Sequence, residues 1–198
     1  MMSQKPFAPS ADRNRHAILD VLRTELTAGD SVLEFGSGTG QHVCHFAHEL
    51  PEVRWQPTDK ADKLPGMIQW IEQSGCTNIL APSELDLRHQ VPEFRDITLC
   101  YSANTLHIVS WPLVEKLFMQ AAQVLGAAGK LCIYGPFMFD GQHISEGNRE
   151  FDRQLRAADP DSGIRDIAEL DQLAQSQGFL CARVTALPAN NHLLVWDR

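Results

Sequence analysis

Val32-Leu33-Glu34-Phe35-Gly36-Ser37-Gly38-Thr39-Gly40 is a short apolar strand that runs straight into three alternate glycines. Glycines there let the backbone turn sharply and let a ligand approach without meeting a Cβ. A helix expected over residues 41–50 then points its free N–H groups at the space beyond the strand. A second strand, residues 53–56, closes at Pro57-Thr58-Asp59, nineteen residues past Gly40. A carboxylate at that strand end is placed to accept both hydroxyl hydrogens of a ribose.

Outward from this unit, strand and helix patterns alternate to both ends of the chain. Upstream, Ser10 or Asp12 is a candidate cap for a helix carrying Ile18, Leu19, Leu22 and Leu26 at helical spacing, which stops at Ala28-Gly29-Asp30. Downstream come a helix at 64–73, short strands at 78–80 and 97–102, a helix at 113–125 and a strand at 130–134. A polar loop at 135–148 precedes a helical stretch around Phe151 and Leu155, and a last helix spans 167–176. Strands at 180–187 and 192–196 flank the turn Pro188-Ala189-Asn190-Asn191. This alternation predicts an α/β fold: a seven-stranded, mostly parallel sheet with helices on both faces. So short a last turn makes the two terminal strands an antiparallel hairpin.

Composition bounds the partners. Of 198 residues, 43% are apolar and 21% charged, enough to build a core and too apolar for disorder. One domain over residues 1–198 is expected, with 1–9 as a flexible arm. Acidic side chains number 25 against 17 basic ones, a net charge of −8 that repels polyphosphate, so no nucleic-acid partner is expected. Nor is a membrane partner: no run approaches the ~20 apolar residues of a span, and residues 1–10 lack the apolar stretch of a secretory signal. The five cysteines contain no C-x-x-C and read as reduced packing residues in a cytoplasmic protein. His42, His45 and His48 recur every three residues, but helical positions drift by about 60° per such step, so they do not converge and no metal is expected.

Spacing then selects the cofactor. Dinucleotide folds use G-x-G-x-x-G, with a diphosphate on the helix N-terminus. Here the pattern is G-x-G-x-G, and Glu34 lies two residues before Gly36. A carboxylate at that strand end repels diphosphate but attracts an ammonium group. S-adenosylmethionine carries an ammonium and a sulfonium and no phosphate, so these features favour it over NAD.

At these residues the chain resembles the class I S-adenosylmethionine-dependent methyltransferases, through residues 33–40, Asp59 and Leu125-Gly126-Ala127-Ala128-Gly129-Lys130-Leu131, with Ala128 where proline is commoner. More narrowly it resembles an uncharacterised methyltransferase-like family, a domain of unknown function with a human member. That likeness rests on Arg13-Asn14-Arg15, Gly40-Gln41-His42, Trp55-Gln56-Pro57, Asn104-Thr105-Leu106-His107-Ile108, Tyr134-Gly135-Pro136, Asp140-Gly141-Gln142-His143, Gly163-Ile164-Arg165-Asp166 and Pro188-Ala189-Asn190-Asn191. The resemblance implies a Rossmann-like fold. It places Glu34, Gly36, Ser37, Gly38 and Gly40 along the methionine part, Asp59 at the ribose, and Leu85 and Asp86 at the adenine. Ser102, Ala103 and Asn104 would pass beneath the sulfonium.

Methyl transfer is an in-line displacement on an activated donor, so the protein acts chiefly by holding the acceptor in line. An oxygen or nitrogen acceptor can also need a base. His107, after the fourth strand, and Tyr134, at the end of the fifth, are the catalytic candidates; Asn14, Trp111 and His143 are candidates for the acceptor side. The expected activity is methyl transfer to a small-molecule acceptor. The rival readings are a binding module of the same fold without transferase activity, and an NAD-dependent oxidoreductase. Oligomeric state is left open by the sequence.

Overall fold

A computed structural model describes residues 5–89 and 94–198. Its central feature is a seven-stranded sheet in the order β3-β2-β1-β4-β5-β10-β9. The strands are β1 (Ser31–Phe35), β2 (Arg54–Asp59), β3 (Ser83–Glu84), β4 (Ile97–Ala103), β5 (Leu125–Gly135), β9 (Arg183–Leu187) and β10 (Asn191–Asp197). Pairings from β3 through β5 are parallel, and β10 runs antiparallel to both β5 and β9. The α/β class and the antiparallel hairpin agree with the sequence expectation.

β1 is buried along its whole length, so side chains on both its faces pack. Val32 faces α1 (Pro9–Glu25) and α2 (Gln41–Glu49), where Ile18, Leu22, Val43, Phe46 and Trp55 form one core. Leu33 and Phe35 face the other layer, built on α4 (Trp111–Val124) and α6 (Ile167–Ser176), with Leu117, Phe118, Leu170 and Trp196. The two-layer cover leaves the carboxyl ends of β1, β2 and β4 opening into one crevice, the place where open α/β sheets bind ligands.

Three local expectations are corrected. Helix α1 starts at Pro9 with Ala8 as an uncapped N-cap, because proline's fixed φ suits the first helical position; neither Ser10 nor Asp12 caps it. Residues 78–80 make only a bridge, Ile79 to Trp55, and the edge strand forms further on at Ser83–Glu84. Asn78 is spent on the loops, its amide donating to the carbonyls of Ala47, Leu50 and Val53. The loop at 135–148 contains β6 (Phe137–Phe139) and β7 (Gln142–His143), which join β8 (Arg165–Asp166) in a small second sheet. Asp140 and Gly141 both have positive φ, 50° and 73°, the geometry that closes a tight hairpin.

The described part of the expected arm, residues 5–8, lies against α2 and α3 (Leu64–Ser74). Trp70 Nε1 donates to Pro6 O at 2.7 Å, Lys5 Nζ sits 3.4 Å from the Trp70 ring centroid, and Ala8 N donates to Gln41 Oε1 at 2.6 Å. Residues 1–4 of that arm lie outside the described residues. Among the described residues, no helix is long and apolar enough to cross a membrane.

Candidate active site

Two cavities open at the carboxyl ends of the strands. The larger, about 410 Å³, is walled by the glycine loop, Asp59, the Leu85–Leu87 segment, Ala103, Asn104, and Ile108 and Val109. The smaller, about 390 Å³, lies among α1, the end of β5 and the β9–β10 turn. Ser10 and Asn104 line both, so the cavities meet at those residues.

The loop after β1 is held open by its own backbone. Gly36, Gly38 and Gly40 all have positive φ, a region that side-chain-bearing residues rarely adopt. Their duties differ. Gly36 and Gly38 line the larger cavity, while Gly40 is buried against Met67 and lines neither. Ser37 accepts from Thr58 N at 3.1 Å through its hydroxyl, which ties the loop to β2. Gly38 N donates to Asp59 Oδ2 at 2.7 Å, so Asp59 both walls the cavity and braces the loop above it.

Charge on this cavity's lining is mixed, Asp59 and Asp86 against Lys60 and Lys63, and Glu34 lines neither cavity. Glu34 sits beneath the loop, 2% exposed, and its Oε2 has no hydrogen-bond partner. Burial, aided by the Asp59 charge and opposed by Ser37, raises its carboxyl to about 7. Asp86 lies on the wall, and Arg88 holds its carboxyl well below the usual carboxylate range, with Arg88 Nε 3.0 Å from both oxygens. Leu85, Leu87, Ile108 and Val109 add an apolar slot. Lys60 and Lys63 stand exposed at the rim.

The α2 N-terminus, where a diphosphate would sit, is covered by the protein itself. Gln41 N donates to Thr39 Oγ1 at 3.4 Å, and the Gln41 side chain, 4% exposed, is bonded to Ala8 and Thr39. Neither Gly40 nor Gln41 reaches either cavity.

His42, one residue on, is the contact that spacing alone did not single out for a site. It lines the larger cavity, and its Nε2 is 2.7 Å from Oδ1 of Asn14, which lines the smaller one. Burial lowers its imidazole to about 4, so it is neutral at physiological pH. Asn14 and Asn191 both stand against the hydroxyl of Tyr134, whose titration burial pushes up. Of the other spaced histidines, His45 packs edge-on against His16 and His48 faces Glu49. Among the described residues, no three His, Cys, Asp or Glu side chains stand together as metal ligands.

Several sequence candidates lie away from both cavities. Ser102 turns its hydroxyl to Phe35 O at 2.9 Å and ties β4 to β1. His107 is buried with its ring edge-on to Phe151 at 5.4 Å; burial, and then Arg165, lower it to about 4. Trp111 donates from Nε1 to Glu115 at 3.0 Å and lies beside Arg165. His143 Nε2 is 3.5 Å from Asp152 Oδ2. The cavities do gather Gly36, Ser37, Gly38, Asp59, Leu85, Asp86, Ala103 and Asn104 in the larger, and Asn14, Asn104 and Tyr134 in the smaller.

Strand order, antiparallel hairpin and glycine loop together define the class I methyltransferase fold. Solved structures with this architecture include the S-adenosylmethionine-dependent methyltransferase SibL in its apo form, with a TM-score of 0.81, 18% identity, and coverage of 96% of this chain and 55% of that one. An O-methyltransferase family 2 protein from Planctomyces limnophilus in complex with apigenin gives 0.79, 16%, and 96% and 60% coverage. Human N-acetylserotonin methyltransferase in complex with SAM gives 0.77, 15%, and 96% and 52%. The chain thus spans little more than half the length of these proteins. It belongs to the family described as protein of unknown function (DUF938), which matches residues 5–198.

Proposed function

We propose that the chain binds S-adenosylmethionine in the larger cavity and transfers its methyl group to a small-molecule acceptor in the smaller one. The observation that carries this is the pairing of an α2 first amide taken up by Thr39 with a buried carboxyl at Glu34 whose Oε2 has no partner. Glu34 behind the loop and Asp59 on the wall oppose a diphosphate and attract a cation, which disfavours the nicotinamide alternative.

Asp59 would accept from the ribose hydroxyls, Leu85 and Leu87 would sandwich the adenine, and Asp86 would face its amino group. The bound donor supplies an electrophilic methyl group on a sulfonium. The protein's part is alignment: Ser10 and Asn104, shared by both cavities, set the path between them. Asn104 reaches that position because its φ of 56° is tolerated by asparagine, with its N–H anchored on Tyr134 O at 2.9 Å. Tyr134 orients the acceptor as a hydrogen-bonding hydroxyl; its raised titration makes it a weak base source. The test is incubation with methyl-labelled donor and a small-molecule extract. Label in low-mass products supports the reading; a protein that binds donor yet labels nothing supports the binding-module alternative.

Glu34 gives this reading a pH signature. The fold raises its titration from 4.5 to about 7, favouring the acid form. That contribution to stability is complete below pH 4.5 and is lost as pH rises through 7. A cation in the cavity favours the ionised form instead, so binding releases a proton when Glu34 starts protonated. Titration of S-adenosylhomocysteine by calorimetry, in two buffers of different ionisation enthalpy, should show proton release near pH 6 that fades by pH 8. Glu34→Gln should abolish the difference; equal release in the variant would refute the assignment.

A further inference from the structure

The smaller cavity has a charge pattern of its own. Its lining holds one ionisable cation, Arg13, with the amides of Asn14, Asn104 and Asn191 and the hydroxyls of Ser10 and Tyr134, and no carboxylate among the described residues. The adjoining acid, Asp12, is paired with Arg15 at 2.9 Å, and Arg13 makes no ion pair among the described residues. Its charge reaches inward, because it favours the ionised form of the Tyr134 hydroxyl. The turn that closes the cavity is strained to fit: Ala189, on its wall, holds a φ of 60°.

We propose that the smaller cavity takes a small carboxylic acid, with Arg13 and the neighbouring amides on its carboxylate and the rest of the molecule reaching toward Asn104. A guanidinium meets a carboxylate through two parallel N–H donors. The remaining lone pairs face the amide of Asn14, while the Asn191 amide is turned to Pro188 O and Ala189 O and closes the wall. One cation matches one negative charge, whereas a phosphate monoester would leave part of its charge unmatched. The proposal rests on the donor reading of the larger cavity: a heteroatom of this acid remote from the carboxylate bonds the methyl carbon, the sulfonium C–S bond breaks to leave S-adenosylhomocysteine, and the heteroatom's proton passes to solvent.

The test uses the full chain saturated with S-adenosylhomocysteine and measures thermal stability and calorimetric affinity. Probes are acetate, lactate, succinate and benzoate, each beside its amide. At least one acid should bind while its amide does not. Arg13→Gln should weaken that acid by roughly tenfold or more, the loss of a charge-assisted pair, and leave S-adenosylhomocysteine affinity within about twofold. Arg13→Lys should recover part of the loss. Glutamine is a good helix former, so the exposed α1 position tolerates it. Amides binding as well as acids, or no acid binding, would overturn the proposal. A fall in S-adenosylhomocysteine affinity in Arg13→Gln would overturn it too, by assigning Arg13 to the donor's own carboxylate. If S-adenosylhomocysteine gives no heat with the wild-type chain, the donor reading has failed. The acid and amide comparison on the unliganded chain then decides the carboxylate site alone.

Discussion

Asp59→Ala should weaken S-adenosylhomocysteine binding by about 3 kcal/mol, roughly two orders of magnitude, from two lost charge-assisted hydrogen bonds. The size of the effect follows from the double duty of this carboxylate. One oxygen already accepts from Gly38 N at 2.7 Å and the other from Lys60 N at 2.7 Å, so the side chain is fixed before any ligand arrives. A ribose would meet lone pairs that need no reorganisation. Removing the carboxylate also frees the Gly38 amide and loosens the loop. Asp59→Asn separates the two losses: its amide oxygen can still brace Gly38 while the negative charge is gone. Isothermal calorimetry on the three proteins checks this. Wild-type affinity in Asp59→Ala would remove Asp59 from the ribose site.

Gly40→Val should destabilise the fold by about 3 kcal/mol, from backbone strain and overpacking together. The backbone there has a φ of 84°, which a β-branched residue adopts at a cost, and a Cβ would stand 2.8 Å from Met67 Cγ. Met67 is wholly buried, and its Cα and carbonyl oxygen are 3.5 Å away, so the side chain has little room to retreat. For a chain of this length the melting temperature should fall by roughly 6–12 °C. Thermal unfolding followed by circular dichroism measures it. An unchanged midpoint would show that the loop can re-form around a side chain at that point.

These two residues mark how far the sequence was legible. The loop, its strand and Asp59 were readable because a short apolar run, glycine and a strand-end acid are local signals. What Gly40 does was not. Its spacing with Gly36 and Gly38 suggests a ligand contact, yet its close neighbour is Met67, 27 residues further along the chain. Ser102 illustrates the same limit: its place at the end of β4 was legible, but not that its hydroxyl is taken up by Phe35 O. His107, Trp111 and His143 follow the ends of the main-sheet strands, and chain paths there depend on contacts distant in sequence. His107 packs on Phe151, 44 residues away, and His143 faces Asp152. The link from His42 to Asn14 joins two helices 28 residues apart, so no motif announces it. The small second sheet is not legible in the sequence because two- and three-residue strands are too short to show alternation.

The central claim is that the larger cavity discriminates a cationic, phosphate-free adenosyl ligand from a dinucleotide. Calorimetry of the wild-type protein with S-adenosylmethionine, S-adenosylhomocysteine, NAD⁺ and NADH measures that choice directly. The account predicts saturable heats with the two sulfur compounds and none with either dinucleotide. Binding of NAD⁺ or NADH, with silence from both sulfur compounds, would contradict it.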